Sequence, residues 1–365
     1  MTGTPVSSVP PHCPRSDCRY HRCAIGWRWK RHGTYTRQCE PRVIPRYRCG
    51  HCGATFSSQS FSNTYYLKRP DLLVAVAHRM VTCAGYRQMA REARCSPSTI
   101  ASMAGRLGRF ALLYMTANRP RGTIEEPVAL DGFEGFAFSQ YQPLHLNLVV
   151  GTESHYLYAF TQSSLRRKGR MTDAQKKRRA RLEALHGRPD PKAIEKDSAQ
   201  ALAIAAPLAQ ALVVRSDEHQ AYPRALARLP HLHITHERTP STDARTANNP
   251  LFPVNLKDLH LRHNSANHKR ETIAFSKRHQ GAIDRAAWLL CWLNECKPFS
   301  ERHGGGTPAM RAGLRATRLG IETLLSQRLF VTRTELPQVW RHYYFAMVDT
   351  PGIRNPRRHL LKLAL

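Results

Sequence analysis

Two short apolar runs, each ending at a carboxylate, constrain this chain more than any other feature. Val128, Ala129 and Leu130 lead to Asp131, and the run ALVVRSD, residues 211–217, ends at Asp217. Runs of this kind predict buried β-strands, so each acid would stand where a strand reaches the surface. Two acids at strand ends predict a Mg²⁺ site, because hard divalent cations prefer oxygen ligands. The alternative is that each Asp only forms a turn or caps a helix.

The charge of the chain predicts a polyanionic partner. Its 365 residues include 56 Lys and Arg against 26 Asp and Glu, a formal net charge of +30. Nucleic acid is the partner that such a balance favours, and double-stranded DNA is our expectation. The sequence has no long apolar run and opens with no charged-then-apolar signal segment. We therefore expect a cytoplasmic, nucleoid-associated protein of roughly two or three domains that does not contact membranes.

Cysteine spacing near the start of the chain predicts a metal site. Six of the ten cysteines lie in the first 52 residues. In a cytoplasmic protein such a cluster favours metal binding over disulfides. A C-x4-C pair and a C-x2-C pair, separated by an arm rich in Arg and aromatic residues, predict a zinc ribbon over residues 13–57. The predicted zinc ligands are Cys13, Cys18, Cys49 and Cys52. Three residues between the two pairs are alternative ligands: His21, Cys23 and Cys39.

A helical periodicity follows between residues 68 and 118. Apolar residues recur every three to four positions, which predicts three helices, the third opened by Ser96 as N-cap and Pro97. This arrangement is typical of a helix-turn-helix that binds DNA, and an ordinary three-helix bundle is the alternative. We predict that the third helix exposes small polar and basic side chains to DNA. The side chains predicted to be exposed are Ser98, Thr99, Ser102, Arg106 and Arg109, and the two arginines are the predicted DNA ligands.

The rest of the chain alternates between strand and helix patterns, which predicts an α/β domain over residues 127–300. Three consecutive strands are predicted at 127–138, 144–150 and 156–160. A basic helical insertion follows at 165–198, with Thr172 and Gln175 forming a capping box. The basic C-terminal region, residues 301–365, shows no pattern that predicts a function.

Four motifs together resemble those of one family. They are RYRCGHCGATFS at 46–57, LDGFEGF at 130–136, SDEHQAYP at 216–223 and TIAFSK at 272–277. The third is similar to a family pattern S-D-x-x-x-x-Y. Over roughly residues 13–300 the chain resembles bacterial insertion-sequence transposases of the DDE class. In these proteins a zinc ribbon and a helix-turn-helix precede a ribonuclease H-like domain.

The resemblance implies a mixed sheet with flanking helices and a site of three ligands. The family places one acid on the first strand, a second after the fourth strand and a third on a following helix. Asp131 and Asp217 match the first two. Aligning back from TIAFSK puts Asn255 at the third position, where many members have Glu. Asp258 and Glu271 are the alternative third ligands, the latter predicted to lie on a basic helix.

The resemblance also implies an activity. A transposase binds the ends of its element and uses Mg²⁺ to cleave and rejoin phosphodiesters, here with Asp131 and Asp217 as metal ligands and Asn255 completing the catalytic set. Arg262, Lys269 and Arg270 would hold DNA phosphates. Such enzymes act as homodimers or larger oligomers on DNA. The alternatives are a DNA-binding regulator without catalysis, an inactivated copy, and a nuclease that cuts without rejoining.

Overall fold

A small antiparallel sheet begins the folded chain. A computed structural model of the protein describes residues 9–361 and 363–365. The three strands pair in the order β1-β2-β3, and they are β1 (Trp29–Thr36), β2 (Val43–Cys49) and β3 (Thr55–Ser57). Three of the five residues buried at its centre are cysteines: Cys13, Cys18 and Cys49, with Tyr47 and Phe56. This N-terminal ribbon, residues 13–57, therefore has a very small apolar core.

Three helices follow the ribbon, as the periodicity predicted. They are α1 (Leu72–Met80), α2 (Tyr86–Glu92) and α3 (Pro97–Ala117). The predicted start of α3 is confirmed, because the Ser96 hydroxyl accepts a hydrogen bond from the Ser98 amide and Pro97 occupies the first turn. A free amide at that position would lack a helical partner, so proline costs nothing there.

A five-stranded mixed sheet confirms the α/β class. Its strands are β4 (Val128–Phe136), β5 (Pro143–Gly151), β6 (Leu157–Ser164), β7 (Gln210–Ser216) and β8 (Leu232–Arg238). The spatial order is β6-β5-β4-β7-β8. The first three strands are antiparallel neighbours, while β4, β7 and β8 run parallel. The three consecutive strands expected after residue 127 are confirmed, and β4 lies at the centre of the sheet.

Five helices follow in and around this sheet, and four of them cover its faces. The five are α4 (Asp173–His186), α5 (Ala193–Ala205), α6 (Ala221–Leu226), α7 (Phe252–Asn264) and α8 (His279–Glu295). Helices α5 and α6 bury one face, and α7 and α8 join α1–α3 over the other. The predicted basic insertion contains α4, which buries none of its residues and begins with the expected capping box of Thr172 and Gln175.

The C-terminal region packs against the rest of the molecule. Its helices are α9 (Pro308–Arg311), α10 (Ile321–Ser326) and α11 (Gln338–Tyr344). The Trp340 indole donates to the Phe160 carbonyl at 2.9 Å, and the Tyr343 hydroxyl accepts from the Gln162 amide at 2.8 Å, so α11 is tied to β6. Residues 301–365, whose role the sequence does not reveal, thus brace the sheet. Among the described residues, none of the helices is long and apolar enough to cross a membrane.

Candidate functional site

The four predicted zinc ligands meet at one end of the N-terminal ribbon. The sulfur atoms of Cys13, Cys18, Cys49 and Cys52 all lie within 4.8 Å of one another. The Sγ atoms of Cys13 and Cys52 are 3.7 Å apart, and those of Cys18 and Cys49 are 4.0 Å apart. Four thiolates about 2.3 Å from a tetrahedral Zn²⁺ would be separated by roughly 3.8 Å. The cluster therefore has the donor set and the spacing of a structural zinc site.

Charge in this cluster also suits a bound cation. Burial raises the pKa of the Cys13 and Cys18 thiols, because a thiolate loses its hydration there. Burial would raise that of Cys49 too, but the amides of Cys52 and His51 and the Trp27 indole, 3.2 Å from its sulfur, lower its pKa to about 6. A divalent cation would stabilise all four thiolates together.

The three alternative ligands lie outside the cluster. Both ring nitrogens of His21 are occupied, one 2.8 Å from the Cys13 carbonyl and the other 2.8 Å from the Thr332 hydroxyl. Cys23 is exposed, and Cys39 lies in the turn between β1 and β2. The structure thus resolves the choice that spacing left open. His21 serves instead to dock the ribbon against the C-terminal region.

The second candidate site lies where β7 ends beside the middle of β4. The prediction that Asp131 stands at the end of its strand is wrong, because β4 continues to Phe136. Val128 pairs with Val214 and Ala129 with Arg215 in this parallel pair. The offset is 86 residues in both cases (214 − 128 and 215 − 129), and it is also the offset between Asp131 and Asp217. Asp131 lies on β4, and Asp217 is the first residue after β7. Continued for two residues beyond Ala129 and Arg215, this register would set Asp131 beside Asp217.

Short-range contacts hold both carboxylates. An oxygen of Asp131 accepts from the Gly132 amide at 2.7 Å and from the Tyr222 hydroxyl at 3.2 Å, while Asp217 accepts from the His219 amide at 2.9 Å. Burial raises the pKa of Asp131, and the negative charge of Asp217 raises it further. The two acids consequently affect each other electrostatically. Tyr222 lies within the motif at 216–223, and its contact with Asp131 could not be predicted from the sequence.

A third acid reaches this site from α7. Val254, Asp258 and Leu261 recur at helical spacing, and both apolar members are fully buried against the sheet. Asp258 is carried inward on that stripe, and one of its carboxylate oxygens is buried without a hydrogen-bond partner among the described residues. Burial raises its pKa well above the ordinary value, and the charge of Asp131 raises it further. Asp258 is therefore a buried carboxyl group near Asp131, with one oxygen that no described residue hydrogen-bonds.

The other two candidates for the third ligand are placed differently. Asn255, the residue implied by the resemblance, is half-buried one turn before Asp258 on α7. Glu271 is exposed, and no described interaction joins it to Asp131 or Asp217. The prediction that Glu271 lies on a helix is wrong. Residues 269–278 form a loop, closed by a bond of 2.9 Å between the side chains of Asn267 and Ser276.

The predicted phosphate-binding cations have unequal freedom. Lys269 and Arg270 are exposed in that loop. The Arg262 guanidinium stacks on the Phe133 ring, 4.5 Å from its centroid, and donates to the carbonyls of His268 and Glu134. Arg262 thus fixes α7 to β4. Arg245, which the sequence analysis missed, lies close enough to lower the pKa of both Asp131 and Asp258 by its charge.

The predicted exposure of Arg106 and Arg109 is wrong. Arg106 is buried, donates to the Asn63 carbonyl at 2.9 Å and has a pKa lowered to about 9 by burial. Arg109 is half-buried, and the charge of Asp284 on α8 acts on its guanidinium. Asn63 and the C-terminal residues Arg328 and Tyr344 lie around Arg106. Arg109 lies where α8 crosses α3, and there a Cβ on Gly108 would lie 2.6 Å from the Asp284 Cα. Only the first turns of α3 face solvent, including Ser98 and Ser102.

Comparisons with known proteins add little to this geometry. No protein-family model matches the chain, and no curated protein matches it. Among solved structures, one match is the cryoEM structure of the simian T-cell lymphotropic virus intasome in complex with PP2A regulatory subunit B56 gamma. The sequences are 13% identical, the TM-score is 0.27, and the match covers 68% of this chain and 74% of that one. A match of this quality carries no argument, so function has to be argued from the residues themselves.

Proposed function

We propose that the chain is a DNA transposase that cleaves and joins phosphodiesters at Asp131, Asp217 and Asp258 with Mg²⁺. The observation that carries the proposal is that the 86-residue offset between paired residues of β4 and β7 is also the offset between Asp131 and Asp217. If the two acids only formed turns, their positions would not be expected to agree with the register of β4 and β7. The central β4 and the strand order around it also support a ribonuclease H-like sheet.

The acids fit the needs of a hard divalent cation. All three are carboxylates, and Asp258 has a buried oxygen without a hydrogen-bond partner among the described residues. The raised pKa of Asp131 and of Asp258 reflects burial and mutual repulsion that a cation would relieve. Bound Mg²⁺ would supply Lewis-acid stabilisation of the attacking and leaving oxygens of a phosphodiester. The protein's own part is to orient the carboxylates, with the Tyr222 hydroxyl holding Asp131.

Binding of DNA would involve the exposed cations of the N-terminal modules. Arg106 and Arg109 are too enclosed for this role. We assign DNA binding instead to three arginines that are exposed around the start of α3: Arg87, Arg91 and Arg94. The N-terminal ribbon, residues 13–57, and the helices within 68–118 would bind the element ends. It keeps residues 127–300 as the catalytic domain, and we expect at least two copies to act together on two ends.

The decisive experiment replaces Asp131 and Asp217 by Asn, one at a time. The substrate is a plasmid carrying the DNA that flanks the gene, and cleaved and joined products are measured with and without Mg²⁺. We expect each variant to lose at least about 10³-fold in cleavage rate, the equivalent of several kcal/mol of transition-state stabilisation. Affinity for the same DNA should stay unchanged, because neither acid is placed among the groups that bind the backbone.

A matched control is Asp349→Asn, which removes an exposed acid whose partner is Arg358. It should cleave like the wild type. Full cleavage by both Asp131→Asn and Asp217→Asn would remove the catalytic proposal and leave a DNA-binding regulator as the better account. Cleavage without any joined product in the wild type would instead indicate a metal-dependent nuclease.

A further inference from the structure

A cavity lined by cations lies beside the acid pair, between the basic insertion and α6. Its volume is about 410 Å³. Residues of the insertion, the start of α5 and the start of α6 form its wall. The cationic residues in that wall are Arg166, Arg167, Lys168, Arg179, Arg188, Lys192 and Arg224. Two of them, Arg166 and Arg179, are ion-paired with Glu183 outside the wall. We call this space the basic cavity.

The positive charge of the basic cavity is not cancelled by its own acids. Asp190 and Glu195 also line it, but each is ion-paired at 2.5 Å with a cation outside the lining, Lys196 and Arg228 respectively. Lys168 and Arg224 are exposed and make no ion pair among the described residues. The cavity therefore presents cations whose charge is available to a bound anion.

Part of this charge is held in a fixed position. The Arg167 guanidinium stacks on the Tyr141 ring, 4.8 Å from its centroid, and its Nη1 is buried without a hydrogen-bond partner among the described residues. Its carbonyl accepts from Arg179 on α4 at 2.9 Å, which ties the loop to the helix. A donor that is ordered before a ligand arrives loses little entropy on binding.

A buried histidine, His145, lies next to the cavity, with a carboxylate oxygen of the exposed Glu134 at 4.0 Å from its Nδ1. The imidazole of His145 lies over Gly132, where a Cβ would come within 1.7 Å of its Nε2, so the absence of a side chain at Gly132 makes room for the ring. Both ring nitrogens are buried without hydrogen-bond partners in the part of the chain that the structure describes. Burial lowers its pKa to about 4, helped by the charges of His219 and Lys168, both of which line the cavity.

The cavity connects directly to the acids. His219 belongs to its wall, and the His219 amide donates to Asp217 at 2.9 Å. A volume of about 410 Å³ is in the range of small-ligand sites. A sphere of that volume is roughly 9 Å across, less than the width of one major groove (about 12 Å), so a duplex would not fit inside the cavity. A ligand of matching chemistry is a single strand with one or two phosphates inside the cavity.

We propose that the basic cavity binds backbone phosphates of one unpaired DNA strand and leads that strand to Asp217. This rests on the proposed function, and it adds that the enzyme separates the two strands close to the acids. The cations hold the phosphates through charge and hydrogen bonds, with no dependence on base sequence.

Binding of a fluorescein-labelled single-stranded DNA of mixed sequence, without Mg²⁺, tests the proposal. The variant Lys168→Ala/Arg224→Ala should bind it about tenfold more weakly at low salt. For two lost phosphate contacts, the slope of log affinity against log salt should fall by about 1.4. Affinity for the duplex of the same sequence should fall less than about twofold. A matched pair, Arg302→Ala/Arg318→Ala, removes two exposed cations outside the cavity and should leave both affinities within about twofold of the wild type.

Equal losses in the two pairs, or equal losses for strand and duplex, would overturn the proposal, because general charge would then explain them. Arg224→Lys guards against misfolding, since it keeps the charge and should keep single-strand affinity within about threefold. The readout needs no cleavage. Strand binding that persists in a wild type unable to cleave would therefore overturn only the catalytic proposal.

Discussion

The N-terminal ribbon and the acid site beside β4 both contain side chains of types that bind metals, but these side chains contribute differently to the two folds. In the ribbon, cysteines make up three of the five buried core residues, so the ligands are also most of the core. The acids lie on and beside the two central strands of a sheet whose apolar core is large without them. A metal in the ribbon would therefore hold the fold, whereas the sheet holds its carboxylates in place whether or not a metal is bound.

Spacing of the ligands differs in the same sense. The four sulfur atoms lie within 4.8 Å of one another, while Asp131, Asp217 and Asp258 do not form such a set among the described residues. A closed tetrahedral set suits a structural ion with no open position. A wider set suits Mg²⁺, which keeps several waters and shares its coordination with substrate oxygens. Under the proposed function, the ribbon would bury its ion, whereas the acid site would leave its ion open to DNA.

The largest expected effect is on the ribbon. Removing zinc with a chelator should unfold residues 13–57 and leave the five-stranded sheet folded, because a structural zinc site contributes on the order of 10 kcal/mol to such a small domain. Native mass spectrometry should find one zinc per chain. Limited proteolysis should then show new cleavage in the ribbon. It should also show cleavage near Thr332, whose hydroxyl contacts His21 of the ribbon.

Cys49→Ser should reproduce the chelator's effect, and Cys23→Ser, at an exposed cysteine outside the cluster, is its matched control. If Cys49→Ser retained both zinc and protease resistance, the ribbon would fold by its apolar residues and the contrast between the two regions would disappear.

Much of the architecture could be predicted because the relevant signals are local. The β4, β5 and β6 runs, the Ser96 N-cap and the capping box at Thr172 all depend on residues close in sequence. The two acids could be named from the sequence because an acid after each of two apolar runs is a local signal, and the charge of Asp217 does act on Asp131. Cysteine spacing likewise predicted the four ligands that meet.

Burial of Arg106 could not be predicted in the same way. Periodicity reports which face of a helix is apolar, but Asn63 and the C-terminal residues Arg328 and Tyr344, far away in the chain, lie around Arg106. The crossing of α8 on another side of α3 leaves a local trace in Gly105 and Gly108, both of which face Asp284. The preference for Asn255 as the third ligand stays a prediction, and the sequence could not decide it for a related reason. Asn255 and Asp258 lie one turn apart on α7, and only the packing of Val254 and Leu261 shows which of them faces the sheet.

An effect of intermediate size should separate Asp258 from Asn255. If Asp258 is the third carboxylate ligand, Asp258→Asn should lower cleavage by about 10²- to 10³-fold and raise the Mg²⁺ concentration needed for half-maximal rate. Asn255→Ala should lower it by less than about tenfold, as expected for a neutral side chain that only orients a ligand. Rates measured across a Mg²⁺ titration give both quantities.

Glu271→Gln is the control for this pair, because Glu271 is an exposed acid in the neighbouring loop and should behave like the wild type. The opposite order of effects, with Asn255→Ala the more damaging, would return the third position to the residue that the family resemblance implies.

The smallest effect is on stability, and it distinguishes an acid held for chemistry from one held for folding. Burial raises the pKa of Asp258 well above its ordinary value, helped by the charge of Asp131 and opposed by Arg262 and Arg245. A raised pKa means that the folded state favours the protonated acid. Stability from this group is thus present below the ordinary carboxyl pKa of about 4 and is lost as pH rises through the folded value.

Asp258→Asn cannot ionise, so without divalent cations it should be more stable than the wild type by about 1 kcal/mol at pH 7. That difference should shrink as pH falls toward about 4 and should reverse when Mg²⁺ binds the wild type. Urea unfolding at several pH values, with and without Mg²⁺ and with Asp349→Asn as the control, measures each of these changes. A variant less stable than the wild type at pH 7 without Mg²⁺ would mean that the Asp258 charge stabilises the fold, and the contrast with the ribbon would fail at this residue.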